Sequence, residues 1–201
     1  RCVDAVYAAY KRGGPVPTLC VLREKLLEQP EEEARDLALA LELFTTGSLD
    51  AFAHETNVDT QNRIVIYDIM DLGRQLKTMG LLIITDAMLN RVTENWRKGK
   101  RTHLFIDEFH VVFQNPYSAD FFDSAWRRFR KRGAYPTAIT QNVEYLLDSV
   151  QASTMLSNSE MLILLNQAPS DREKLAALLN ISPEQTSYIT NAPAGCGLLR
   201  Y

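Results

Sequence analysis

The sequence predicts an α/β fold in which a mainly parallel sheet is flanked by helices. Short, continuous apolar runs occur at residues 64–67, 104–106 and 161–165, as is typical of strands buried on both faces. Longer segments with apolar residues at helical spacing separate these runs. Strands that alternate with helices imply βα units joined by right-handed crossovers.

Residues 1–62 are predicted to be mainly helical. Apolar residues recur at helical spacing from Val3 onwards. After a glycine and proline break at residues 13–17, Thr18 is expected to cap a second helix. Pro30, followed by three glutamates, favours the start of a third helix, because acids suit the positive end of the helix dipole. The polar residues 45–62 predict a loop.

Residues 63–201 are predicted to form a strand–helix core. The strand at 64–67 precedes a long helix, which ends in the basic, glycine-containing residues 98–101. Ser118 is the expected cap of the helix that follows the strand at 104–106. A strand near 135–140, a helix near 143–150, two short helices capped by Ser170 and Ser182, and a final strand complete this part. We expect residues 1–201 to form a single domain.

The composition is that of a globular domain, with 46% hydrophobic and 23% charged residues in 201. The net charge of −3 excludes a global basic field, so binding of nucleic acid would need a local patch. The scattered Cys2, Cys20 and Cys196 offer no metal or disulfide spacing and favour a reduced, cytosolic setting. No apolar run approaches the ~20 residues that span a bilayer.

Two adjacent carboxylates, Asp107 and Glu108, follow the strand at 104–106. In parallel sheets, ligands bind outside the carboxyl ends of the strands. Nucleotide hydrolysis needs one carboxylate to hold the Mg²⁺ shell and another to orient or deprotonate the attacking water. Strands also end in acidic residues that have no catalytic role. On this feature alone, the catalytic and the purely structural interpretation are equally favoured.

An amide, Gln141, follows the next predicted strand. A glutamine at this place can donate to a γ-phosphate or to the attacking water. The alternative is that it caps the next helix. The catalytic interpretation gains support from Asp107 and Glu108, because parallel strands bring all three side chains to the same edge of the sheet.

Four arginines and a lysine lie at residues 127–132, just before the strand that leads to Gln141. The first interpretation is that these cations stabilise a helix C-terminus. The second is that Arg128, Arg130 or Arg132 reaches the nucleotide of a neighbouring subunit as an arginine finger. The third is binding to the phosphate backbone of nucleic acid. The histidines His54, His103 and His110 have no metal-ligand spacing and are interpreted as ordinary structural or surface residues.

A phosphate-binding loop rich in glycine and ending in Lys-Ser or Lys-Thr is absent from the sequence. The chain also begins without methionine, inside a predicted helix. We therefore expect a piece of a longer protein in which this loop lies just upstream of Arg1, with residues 1–11 as the rest of the helix after it. Alone, the piece is expected neither to bind ATP tightly nor to hydrolyse it.

These motifs resemble those of the large cytoplasmic ATPases of type IV secretion and conjugation, the VirB/TraC type, within the RecA-like HerA/FtsK class. Residues 104–108 are similar to the family's Walker B strand. Residues 130–133, followed by 140–142, are similar to its arginine, glycine and Thr-Gln signature. Residues 65–68 resemble the strand before the long helix, and residues 195–199 resemble a glycine-rich hairpin near the family's C-terminus.

The resemblance implies a RecA-like P-loop NTPase core, truncated at the N-terminal side, that uses ATP and Mg²⁺. It implies that Asp107 holds Mg²⁺ through water, Glu108 is the catalytic base, Gln141 is the sensor and Arg130 is the finger. The chain departs from the family at Arg132, where a tyrosine or small residue is usual, which leaves the choice among the arginines open.

The resemblance further implies a homo-oligomer, often a hexamer, on the cytoplasmic face of the membrane. Its partners would be secretion-channel and coupling proteins, with DNA as a further candidate. One alternative is a HerA/FtsK or coupling-protein-like motor that translocates DNA, which basic loops facing the ring centre would favour. Another is a catalytically inactive scaffold domain, which an intact phosphate-binding loop upstream would count against.

Overall fold

The computed structural model describes residues 1–141 and 143–201. Asn142, part of the predicted Thr-Gln signature, lies outside the described residues. The chain forms two compact units, Arg1–Tyr67 and Asp68–Tyr201. The expectation of a single domain over residues 1–201 stays a prediction.

The first unit is helical. Its helices are α1 (Cys2–Lys11), α2 (Leu19–Leu27) and α3 (Glu32–Thr45), followed by a short 3₁₀ helix at Asp50–Phe52. The predicted cap of α2 is confirmed, because Thr18 Oγ1 accepts a hydrogen bond of 3.3 Å from the Val21 amide. The buried Leu26, Ala34 and Ala38 form the core between α2 and α3. The small side chains on α3 allow the two helices to approach closely.

The predicted strand at residues 64–67 is wrong for this structure. These residues have no regular secondary structure, and neither sheet of the described chain includes them. Ile64 is 78% exposed and Ile66 is 85% exposed. An apolar run becomes a strand only when a neighbouring strand satisfies its backbone N–H and C=O groups, and none of the described residues pairs with this run.

The second unit contains the βα unit that the sequence predicted. Its first elements are α4 (Arg74–Arg97), β1 (Thr102–Ile106), a 3₁₀ helix at Phe109–Gln114, α5 (Pro116–Lys131) and β2 (Ala134–Ala138). β1 and β2 are parallel and pair from Thr102 with Ala134 to Ile106 with Ala138. The helix α5 makes the crossover that a parallel pair requires.

The remaining elements are helices and two strands, and the two strands form a second, smaller sheet. They are α6 (Val143–Asp148), α7 (Val150–Ser157), β3 (Leu162–Leu164), α8 (Pro169–Leu179), α9 (Pro183–Thr186), a 3₁₀ helix at Ser187–Ile189 and β4 (Leu198–Arg200). β3 and β4 are antiparallel. The expected single, mainly parallel sheet is therefore confirmed only in part: the described strands form two two-stranded sheets, of which one is parallel.

In the second unit, two predicted helix caps are wrong and one is confirmed. α5 begins three residues earlier than predicted, and the side chain of Asn115 caps it by accepting from the Tyr117 amide at 2.9 Å. Ser118 is instead buried inside the first turn, because the proline at 116 already fits the first helical position. Ala168 precedes α8, so Ser170 does not cap it. The capping box of Ser182 and Gln185 is present.

The helix α5 anchors the parallel sheet. Its aromatic side chains Phe122 and Phe129 are fully buried, and Phe121 and Trp126 are partly buried. The core around α5 comprises Leu89, Val92, Phe109, Val112, Phe122, Ala125, Phe129, Ala134, Leu146, Ala152 and Met155. Burial of each large apolar side chain contributes roughly 1.5–3 kcal/mol, so this core holds the strands and the loops at their ends in place.

Candidate functional site

The loops after β1 and β2 leave the sheet side by side. The Ile139 amide donates to the Ile106 carbonyl at 2.8 Å, and the Phe109 amide donates to the Ile139 carbonyl at 2.9 Å. These two bonds extend the parallel ladder beyond the strands. Residues 107–108 are consequently held opposite residues 139–141.

The structure brings Glu108 and Gln141 into contact. Gln141 Nε2 donates to Glu108 Oε1 at 3.3 Å, across 33 residues of sequence. Asp107 stands next to them, and its Oδ1 accepts a hydrogen bond of 2.9 Å from the Glu108 amide. All three side chains are exposed to solvent, so an incoming ligand can reach them.

Glu108 has a strained backbone, with φ of 46° and ψ of 44° in the left-handed region. For a residue other than glycine or asparagine this conformation costs roughly 1–2 kcal/mol. The next residue, Phe109, is fixed in the core, because its ring is buried against Phe113, Phe122 and Trp126 at centroid distances of 5.1–5.5 Å. With Phe109 fixed in the core, the side chain of Glu108 remains 47% exposed at the sheet edge.

His110 and Thr140 belong to the same site, whereas the sequence analysis interpreted His110 as an ordinary residue and named Thr140 only as part of the Thr-Gln signature. His110 Nδ1 lies 3.3 Å from Glu108 Oε2 and 3.3 Å from Thr140 Oγ1. The contacts therefore run from Thr140 through His110 and Glu108 to Gln141. The spacing of His110 in the sequence did not suggest a role, because only the 3₁₀ helix after the strained Glu108 turns its ring back towards that carboxylate.

Arg130 lies at the other edge of the same sheet. The helix α5 starts beyond the carboxyl end of β1 and ends at the amino end of β2, with Arg130 in its last turn. The five residues of β2, or about 17 Å at 3.3 Å per residue, separate this edge from Gln141. The structure thus does not bring Arg130 to Glu108 and Gln141 within one chain.

The arginines of α5 differ in their contacts. Arg127 forms an ion pair with Asp123 one turn earlier on the same helix. Arg132 donates a hydrogen bond to Thr93 Oγ1 on α4. Arg128 and Arg130 are exposed, and neither side chain has a hydrogen bond or ion pair with any described residue. The arginines whose guanidinium groups remain available to a partner are therefore Arg128 and Arg130.

The described residues contain no group of three His, Cys, Asp or Glu side chains that could hold a metal ion by themselves. Mg²⁺ in nucleotide sites is usually bound by one or two carboxylates together with phosphate oxygens and water. The exposed carboxylates of Asp107 and Glu108 fit that mode of binding. In the same described part of the chain, no helix is both long and apolar enough to cross a bilayer.

The fold of this chain is found in a solved structure. The match covers 94% of the chain with a TM-score of 0.77 and 24% sequence identity. The matching protein is VirB4 of Thermoanaerobacter pseudethanolicus, and this chain spans 54% of its length. The chain thus shares its fold with about half of VirB4, which confirms the resemblance to VirB-type proteins at the level of the fold. Neither a family model nor a curated protein matches the sequence.

Proposed function

We propose that this chain is part of a VirB4-type, RecA-like ATPase core that hydrolyses ATP to power type IV secretion or conjugative transfer. One observation carries the proposal: Glu108 and Gln141, delivered by two adjacent parallel strands, meet at 3.3 Å beside Asp107. The fold of VirB4 over 94% of the chain supports it. A carboxylate pair beside an amide at the carboxyl edge of a parallel sheet suits hydrolysis of a nucleotide phosphate.

Asp107 is the residue proposed to hold Mg²⁺ through water. Its carboxylate is exposed and lies at the end of β1. When bound with ATP, Mg²⁺ would neutralise negative charge on the phosphates. The hydrogen bond from the Glu108 amide to Asp107 Oδ1 fixes the orientation of this carboxylate.

Glu108 is proposed to act as the general base. A base must be held within hydrogen-bond reach of the water it activates, with its carboxylate ionised. Glu108 meets the first condition, a fixed position within reach of water. Both of its carboxylate oxygens have protein contacts, while 47% of its side chain is exposed. Gln141, which contacts one of those oxygens, is proposed to sense the γ-phosphate or the attacking water.

Arg130 is proposed to act in trans. Its place at the amino edge of the sheet keeps it away from Glu108 of the same chain, whereas a ring of copies can present one subunit's amino edge to the next subunit's nucleotide. A cation there would stabilise charge that develops in the transition state. The assembly we propose is a homo-oligomer, such as a hexamer, at the cytoplasmic face of the membrane beside secretion-channel and coupling proteins.

The proposal is tested by Glu108→Gln in the natural polypeptide that contains residues 1–201. This change keeps the shape of the side chain but removes its basicity, so we expect kcat to fall by about 10²–10⁴ while the Kd for ATP changes less than twofold. Turnover is measured by phosphate release and binding by calorimetry. Glu173→Gln, on the exposed side of α8, is the matched control and should behave like the unmodified protein. Full turnover in Glu108→Gln would refute the assigned role.

A motor that translocates DNA is the second candidate, because positive charge is concentrated on one edge of the parallel sheet. Residues 97–101 and 128–132, which we call the basic edge, hold eight of the 22 Lys and Arg residues and none of the 25 acids. These turns lead into β1 and β2, so they lie side by side. Salt-dependent binding of DNA by the natural polypeptide, with turnover stimulated by DNA, would favour this candidate.

A further inference from the structure

Glu108 is held from both sides by side chains of the same chain. Gln141 Nε2 contacts Oε1 of its carboxylate at 3.3 Å, and His110 Nδ1 contacts Oε2 at 3.3 Å. The backbone of Glu108 adopts a left-handed conformation, directly before the buried Phe109. The direction of the carboxylate therefore depends on two neighbours, of which the sequence motif contains only Gln141.

The contact with the carboxylate determines which ring nitrogen of His110 carries the proton. An ionised carboxylate only accepts hydrogen bonds, so the tautomer that fits has its proton on Nδ1. Thr140 Oγ1 lies 3.3 Å from the same nitrogen, so the N–H is placed between the hydroxyl and the carboxylate. Thr140 comes directly before Gln141, and it ties the imidazole to the β2 side of the site.

His110 is held more firmly than a surface side chain. It is 15% exposed and lies on the 3₁₀ helix Phe109–Gln114. Phe109 and Val112 of that helix are buried in the core. The imidazole therefore stays beside Glu108 as a hydrogen-bond donor whose position is set by packing.

We propose that His110 is a positioning residue for Glu108: its Nδ1–H fixes the second oxygen of the carboxylate, so that the first is aimed at the attacking water. This inference rests on the proposed function. It assigns no proton transfer to His110 itself. Its contribution is to the orientation of a base, and misplacement of a reacting group by about 1 Å can cost up to 10²-fold in rate.

The test compares His110→Leu with His110→Asn in the natural polypeptide. Leucine removes the donor, whereas the amide of asparagine can place an N–H close to the position of Nδ1. We expect His110→Leu to lower kcat by about 10-fold or more, with KM for ATP within twofold, and His110→Asn to recover most of that loss. Should His110→Leu fail to fold, Thr140→Val, which removes the hydroxyl beside Nδ1, should lower kcat with the same unchanged KM.

A matched control is His103→Leu. His103 is exposed at the start of β1 and stacks on Tyr135 at 5.2 Å, away from Glu108, so kcat should stay unchanged. If His110→Leu has the kcat of the unmodified protein while Glu108→Gln is inactive, the positioning role is overturned and the proposed ATPase function still stands. Equal losses in His110→Leu and His110→Asn would also overturn it, because they would indicate packing rather than hydrogen bonding. Full activity in Glu108→Gln would instead refute the function on which the inference rests.

Discussion

The two edges of the parallel sheet differ in charge and in how their side chains are held. At the carboxyl edge, Glu108 contacts Gln141 and His110 of the same chain. At the basic edge, Arg128 and Arg130 are exposed, and their side chains make no hydrogen bond or ion pair with the described residues. The side chains of the carboxyl edge thus contact one another within one chain, whereas the guanidinium groups of Arg128 and Arg130 at the basic edge remain accessible from solvent.

The difference follows from how a βα unit is built. A helix that runs back to start the next parallel strand ends at the amino edge, where its negative dipole end favours cations. The last turn of α5 holds Arg128, Arg130 and Lys131 for this reason. The opposite edge consists of loops that can bring side chains from two strands together. The topology therefore places the residues of the two proposed roles, action in trans and positioning within the chain, at opposite edges of the sheet.

The largest effect is expected from Arg130→Ala. If this arginine completes a neighbour's site, its loss should lower kcat by roughly 10³-fold without preventing ATP binding. Phosphate release by the assembled natural polypeptide measures the effect. Arg127→Ala is the control, because Arg127 is already paired with Asp123.

Mixed assemblies sharpen this prediction. Copies with Arg130→Ala mixed with copies carrying Glu108→Gln should regain part of the turnover, since some interfaces then combine an intact arginine with an intact glutamate. Failure of mixing to restore any activity, with mixed rings verified by differential tagging, would argue against action in trans.

A smaller effect is expected from Gln141→Ala. This change removes the donor to Glu108 Oε1 and the proposed contact with the γ-phosphate or water, so kcat should fall by about 10²-fold. Gln151→Ala provides the comparison, because Gln151 is hydrogen-bonded to Asp120 at 2.8 Å, away from Glu108. If both variants lose turnover equally, Gln141 has no special place in the site.

The smallest effect is expected on stability from Glu108→Gly. Glycine adopts the left-handed conformation without strain, so the free energy of unfolding should rise by up to about 1 kcal/mol although turnover is lost. Asn180→Gly is the control, because Asn180 has a φ of 51° but asparagine tolerates that region, and its gain should be smaller. Denaturant unfolding measures both. A destabilised Glu108→Gly would show that the side chain contributes more to folding than its backbone strain costs.

Several features of the fold could be predicted from the sequence because they depend on local chemistry. The continuous apolar run before Asp107 predicts β1, and Thr18 predicts the start of α2. The meeting of Glu108 and Gln141 also follows from the sequence, since parallel strands joined by one helix must end at the same edge. Here local patterns and a general rule of topology suffice.

Other features depend on which segments become neighbours, and the local pattern does not contain that information. Residues 64–67 have the apolar pattern of a strand but find no partner, and β4 pairs antiparallel with β3. Ser118 is buried because Asn115 already caps the helix.

The sequence by itself determined the acidic and amide residues of the candidate site and their common edge, because residue type and strand order fix both. Only the tertiary structure decided that His110 joins them. Glu108 adopts the left-handed conformation directly before the buried Phe109, and the 3₁₀ helix that follows places the imidazole beside the carboxylate. This contact depends on how the residues after β1 pack against α5, so no spacing in the sequence reveals it.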